Sequence, residues 1–269
     1  MNTKASGYKR SVATLFTFAF SLSLGLAASV DWGVGSQSIT GDSDVSTAGT
    51  LVDAFALGDS STAPVTVNGV TFAPFVLPVF SYSDYAIIPS ATNGNYTLAE
   101  ITAGTVLSYS GLGYTTGSTA FSGLSANYQA LLANGGGSSS PSTLVLTING
   151  LTVGQTYQFE WWDDNSSLTQ SPNGESLDTV GSAGNSVTLL GNDGTAGSVG
   201  HFAIGTFTAD STTQEIDFDG IVNSGAGDYG DPTLNAFQLR DLSAVPEPSS
   251  FALLLPALLG GVFRRRKMR

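Results

Sequence analysis

The 269-residue chain contains no cysteine and a single histidine, His201. Without cysteine there is no disulfide framework, thiolate metal site, Fe–S cluster or thiol nucleophile. One histidine excludes a multi-histidine metal centre. Charge is scarce, at 11% of residues, and positive charge is scarcest, with nine Lys and Arg against 21 Asp and Glu. Eight of the nine bases sit at the ends: Lys4, Lys9 and Arg10 at one, Arg264, Arg265, Arg266, Lys267 and Arg269 at the other. From Ala28 to Val245 there are 20 acids and one base, Arg240, a local charge of −19. Such a body has no electrostatic footprint for nucleic acid. A nearly lysine-free acidic body rich in Gly, Ser and Thr is the composition expected of a protein working outside the cell.

What is present begins with the ends. Residues 1–10 are polar and basic, and Val12 to Leu26 is an uncharged, largely apolar run. The small residues Gly25, Ala27, Ala28 and Ser29 follow. This is the order of a secretory signal peptide, assigned to residues 1–28, with a cut after Ala27 or Ala28. The run is shorter than the roughly 20 residues needed to span a bilayer. At the other end, Pro246-Glu247-Pro248 precedes an uncharged apolar stretch from Ser249 to Phe263, predicted to be a hydrophobic helix. Arg264, Arg265, Arg266 and Lys267 close it and mark a cytoplasmic end by the positive-inside rule. A helix of that length reaches only about 22 Å. The hydrocarbon core is about 30 Å thick.

This tail, residues 245–269, resembles a PEP-CTERM sorting signal. The resemblance implies a protein exported by a Gram-negative bacterium and held transiently in the inner membrane. An exosortase-type processing enzyme then cuts near Pro246, Glu247 and Pro248 and passes the chain to the cell surface or an exopolysaccharide matrix. In that reading Arg264 to Lys267 hold topology.

The body, residues 29–244, reads as one all-β domain, a jelly-roll-like β-sandwich with one short helix. Asn68-Gly69 and Asn149-Gly150 each sit between alternating segments, as a two-residue hairpin requires. The second also fits a looser corner, because Gly154-Gln155 follows closely. Period-two alternation marks strands at 50–57, 104–109, 156–162, 186–190, 201–208, 213–218 and 233–241. Phe121 to Ala133 alone has helical spacing. The Gly135-to-Ser140 run reads as a loop, Gly205 as a bend or bulge, and Trp32 as a first-strand core residue. Segments within 150–242 also resemble galactose-binding-like sandwiches, which supports the fold and assigns no sugar site.

Candidate chemistry is sparse. Glu215, Asp217 and Asp219 share one face of a strand and resemble the carboxylate strand of laminarinase-type glycosidases. Asp219 stands where those enzymes have a longer Glu, and a solvated strand face over Ile216 and Phe218 is the competing reading. Gly41-Asp42-Ser43 and Gly58-Asp59-Ser60 echo an esterase block, but a serine nucleophile without a placed base is inert. Asp163 and Asp164 are candidate calcium ligands, because hard oxygen ligands suit Ca²⁺. Trp162, facing opposite to Trp161, is the candidate ring for stacking on a sugar. The reading is an exported, non-enzymatic, structural or glycan-binding protein, with exopolysaccharide as candidate partner and no nucleic acid. The alternative is a glycan-active enzyme using the Glu215-Asp217-Asp219 strand.

Overall fold

The computed structural model describes residues 27–77, 90–101, 107–114, 116–138, 143–167, 177–182, 184–193, 195–220 and 232–243. The signal segment to residue 26 and the whole sorting tail lie outside these ranges. In chain order the strands are β1 (Ser36–Ser38), β2 (Thr50–Gly58), β3 (Val65–Val67), β4 (Val70–Val76), β5 (Ser90–Asn93), β6 (Tyr96–Glu100) and β7 (Leu107–Gly111). Helix α1 (Ala126–Leu132) follows, then β8 (Asn134–Ser138), β9 (Thr143–Asn149), β10 (Thr156–Asp163), β11 (Leu177–Ser182) and β12 (Asn185–Leu190). The last are β13 (His201–Thr208), β14 (Thr213–Gly220), β15 (Thr233–Leu234) and β16 (Ala236–Asp241). None of the described helices is long and apolar enough to cross a membrane.

Two sheets form the sandwich. One has seven strands in the order β1-β13-β10-β16-β2-β4-β3, the other six in the order β12-β11-β14-β9-β6-β5. A three-stranded ribbon, β15-β8-β7, closes one end. Its neighbours pair antiparallel, as do those of the two sheets except β2 with β4, which run parallel.

The main core lies between the sheets. Tyr157, Phe159 and Trp161 of β10, Phe237 and Leu239 of β16, and Phe55 and Leu57 of β2 meet Leu144, Leu146 and Ile148 of β9 and Ile216 and Phe218 of β14. Trp161 crosses to the opposite sheet and meets Phe218 edge-on, with ring centroids 5.0 Å apart. Such geometry suits aromatic quadrupoles. A second apolar cluster covers the outer face of the seven-stranded sheet. Ala54, Ala56, Phe72, Trp162, Phe202 and Ala236 pack there against Tyr128, Leu131 and Leu132 of α1. The middle of that sheet, β10 and β16, is therefore buried on both faces. It follows that Phe202 and Phe207 serve different clusters, as strand alternation dictates.

Several sequence expectations are refined. Asn68 and Gly69 take φ of 46° and 77° and turn the β3–β4 hairpin as a type I′ pair should. After Asn149 the chain instead crosses from one sheet to the other, entering β10, so that site is a corner. The Gly-rich run is a strand over 134–138, not a loop. A Cβ on Gly136 would collide with Leu77 and lie 2.8 Å from Leu57 Cδ2, so the glycines let this strand close down on the core. Gly205 is no bulge: the β10–β13 register runs through it without a shift, opposite Phe159. Trp32 is buried as expected, but it precedes β1 rather than lying on a strand, and its ring lies against Gly205. Helix α1 starts at Ser125, whose hydroxyl accepts from the Tyr128 amide at 3.1 Å.

Candidate functional site

The two outer faces of the sandwich gather the residues able to do chemistry. On the six-stranded sheet, Thr213, Glu215, Asp217 and Asp219 of β14 face outward, while Gln214, Ile216 and Phe218 are buried. Cross-strand register sets Glu215 beside Thr147, Thr147 beside Thr97 and Thr97 beside Thr92. Thr92 and Thr97 share a hydroxyl hydrogen bond of 3.2 Å, and the Thr213 hydroxyl donates to Asn149 Oδ1 at 3.1 Å. Thr143 Oγ1 donates to Asp219 Oδ1. The result is a surface of hydroxyls and carboxylates, broken by Val145 and Ala99 beside Asp217, formed because period two sends alternate residues of four strands to one side. Partial burial raises the Asp217 pKa, and the Asp219 and Glu215 carboxylates add to the rise. Glu215 and Asp219 are exposed.

The outer face of the seven-stranded sheet is the reverse. Glu160 of β10 is fully buried there, beside Gln238 and Arg240 of β16. Glu160 Oε2 accepts from the Ser46 amide at 3.0 Å and from Gln238 Nε2. Glu160 Oε1 has no hydrogen-bond partner. Burial pushes the carboxyl up to about 8, against the pull of those two donors and of Arg240. Gln238 Nε2 also reaches Ser46 O at 3.0 Å, and the Arg240 guanidinium donates to Ala48 O and Gly49 O. Nearby, Trp162 Nε1 donates to Tyr128 Oη at 2.9 Å, and Tyr128 Oη donates to Asp44 Oδ2 at 3.3 Å. Burial and the Asp44 carboxylate hold the Tyr128 phenol above its ordinary range.

This placement corrects the sugar-stacking expectation. Trp162 is 0% exposed, lies under α1 and meets Phe72 edge-on at 5.6 Å. It does face opposite to Trp161, but a third layer covers that side.

Asp163 and Asp164 are also fully buried and turn to different partners. Thr233 Oγ1 donates to Asp163 Oδ1, whereas the Gly200 amide donates to Asp164 Oδ1 at 2.7 Å. Burial pushes Asp164 up to about 7. The Asp164 amide donates to Asn235 Oδ1, and Asn235 Nδ2 reaches Leu132 O, Asn134 O and Asp164 O. One amide side chain thereby ties together the end of α1, β8 and the end of β10. No group of three or more His, Asp or Glu side chains among the described residues is arranged to hold a metal.

His201 is half-buried between Ser36 and Ser38, whose hydroxyls lie 2.7 Å from Nδ1 and 3.3 Å from Nε2. Burial lowers its pKa, so the ring is neutral at pH 7. Both ring nitrogens are occupied by hydroxyls of edge strand β1, which these contacts fasten to β13. The hydroxyls at His201 are those of Ser36 and Ser38, not of Ser43 or Ser60 in the two Gly-Asp-Ser blocks. Ser61, not Ser60, donates to Asp59 Oδ1, and Asp42 Oδ1 accepts from Ser125.

No protein-family model matches the chain, and no curated protein matches it. Among solved structures it overlaps the enzymatically active domain of tailspike protein 4 of bacteriophage CBA120, with TM-score 0.31 and 12% identity. That overlap covers 55% of this chain and 19% of the tailspike chain. A carbohydrate-binding module of the β-sandwich superfamily overlaps with TM-score 0.14 and 15% identity, over 58% of this chain and 69% of the module. At these scores neither assigns a site.

Proposed function

We propose that this chain is an exported bacterial surface or exopolysaccharide-matrix protein. Its PEP-CTERM-like tail anchors it transiently in the inner membrane until an exosortase-type enzyme processes it near Pro246-Glu247-Pro248. The order of that motif, the apolar stretch and the Arg264-to-Lys267 cluster supports this reading. The passenger sandwich is structural and glycan-binding rather than catalytic. Its contact surface is the outer face of the six-stranded sheet. One observation carries that choice: Glu215, Thr147, Thr97 and Thr92 form a row of outward polar groups across four strands. Hydroxyls and carboxylates presented on a rigid sheet suit the hydroxyls of a sugar chain.

A second reading, glycan hydrolysis by the same strand, has one observation in its favour. Partial burial, together with the flanking Asp219 and Glu215 carboxylates, raises the Asp217 pKa, and neighbouring carboxyl groups are what glycosidases use. Polysaccharide pull-down and reducing-sugar release distinguish the two. Retention without sugar release supports the binder; release that disappears in Glu215→Gln replaces it with the enzyme. Mass spectrometry of the extracellular protein tests export. A C-terminus near Pro248 is expected, and an intact Arg269 outside the cell rules out the sorting step.

A further inference from the structure

We propose that the segment Val45–Gly49 is a pH-sensitive strap, latched over the outer face of the seven-stranded sheet by un-ionised Glu160 and released when that carboxyl ionises. The latch is a set of direct contacts between the strap and two strands. The Ser46 amide donates to Glu160 Oε2 at 3.0 Å, and Ser46 O accepts from Gln238 Nε2. Ala48 O and Gly49 O accept from Arg240, whose remaining nitrogen donates to Gln238 Oε1 at 3.2 Å. Val45 itself is fully buried in the outer apolar cluster. The strap, the two strands and the side chains between them therefore close as one unit.

The other carboxyl oxygen makes this unit sensitive to protons. Glu160 Oε1 is buried and has no hydrogen-bond partner. A neutral carboxyl tolerates that position, whereas a carboxylate with one oxygen dry and unpaired is far costlier. The groups facing Glu160 from the surrounding elements do not remove the cost. From β16 come Arg240, which favours the carboxylate, and the uncharged Gln238. From the turn before the strap comes Asp44, which opposes it, and from α1 comes Tyr128, whose phenol stays neutral. Opening the strap gives Oε1 access to water and removes the burial that holds the carboxyl up.

The direction follows from linkage. The ordinary carboxyl value is 4.5, and the latched value is about 8. Closure is therefore strongest below 4.5 and is lost progressively as pH rises towards 8. Between those limits the opening equilibrium grows by about tenfold per pH unit. An acidic setting keeps the strap down; a neutral or alkaline one loosens it.

Hydrogen–deuterium exchange of the full-length chain in mild detergent tests this, with rates corrected for intrinsic pH dependence. A peptide covering the strap should lose protection by about tenfold per pH unit from pH 5 to pH 7 in the wild type. The same peptide in Glu160→Gln, which keeps both acceptor and shape but cannot ionise, should show no such trend. Equal trends in the two proteins, or none in the wild type, overturn the proposal. Should Glu160→Gln fail to fold, the wild type alone decides. Loss of protection confined to the strap supports the latch, and parallel loss in β9 and β14 overturns it.

Discussion

The outer faces of the two sheets differ in what they do with polar residues. The seven-stranded sheet is roofed by α1 and the strap, and the Glu160 and Asp164 carboxyls on that side are buried and raised towards neutrality. The six-stranded sheet leaves Glu215, Asp219 and a threonine row in water. On the covered face each polar group is a fastening, and losing one leaves a desolvated partner. On the open face each polar group already has water, so its removal costs the fold little. The first face is suited to stability and the second to contact.

The contrast is sharpest for the largest covered side chain. Trp162→Ala should lower unfolding free energy by about 3–5 kcal/mol in urea titrations, because it leaves a cavity under α1 and strips Tyr128 of a hydrogen-bond donor. Asn235→Ala should come next, at about 2–3 kcal/mol, since it removes a buried hydrogen bond to the Asp164 amide and the bonds to three carbonyls. A loss below about 0.5 kcal/mol at either position would mean that the covered face is not the fold's mainstay.

Asp164→Asn should act mainly through pH. Its carboxyl moves from an ordinary 3.8 to about 7 on folding. A raised value means that the stability it contributes is complete below 3.8 and is lost as pH rises to about 7. Melting temperature followed from pH 4 to pH 7 should therefore fall less steeply in Asp164→Asn than in the wild type, by up to about 1.4 kcal/mol per pH unit in the underlying free energy. Identical slopes would show that Asp164 stays ionised in the fold. At the small end, Thr147→Ala on the open face should leave stability within about 0.5 kcal/mol of wild type in the same urea titrations.

The comparison also explains what was legible in the sequence. In β14, Glu215-Ile216-Asp217-Phe218-Asp219 alternates cleanly, because one side meets the core and the other meets water. In β10, Phe159-Glu160-Trp161-Trp162 does not alternate, because both of its sides are buried. Read as a half-exposed strand, β10 sends Trp162 to the surface. Tyr128 of the covering helix is 34 residues away in sequence, and no local pattern announces it. One signal was present. Arg240 is the body's only base, and a lone guanidinium in a strand with Phe237 and Leu239 points to a buried cluster of hydrogen-bond acceptors, which the Ala48 and Gly49 carbonyls and Gln238 supply. Strand β8 was hidden for a different reason. Asn134-Gly135-Gly136-Gly137 has turn composition and is a strand through its pairing with β7 and β15, where Gly136 leaves no room for a side chain against Leu57 and Leu77. Similarly, Gly94-Asn95 turns the β5–β6 hairpin, with Gly94 at φ 58°, at a site that alternation alone does not reveal.

The central claim is that the open face of the six-stranded sheet meets the glycan and the covered face holds the fold. Thr147→Trp tests it directly by placing a bulky ring in the middle of the outward row. Retention of wild type and variant is measured on a panel of immobilised bacterial exopolysaccharides, beside their melting temperatures. Retention of the wild type, with loss in Thr147→Trp at an unchanged melting temperature, is the predicted result. Equal retention of both proteins, or no retention of the wild type, would contradict the claim.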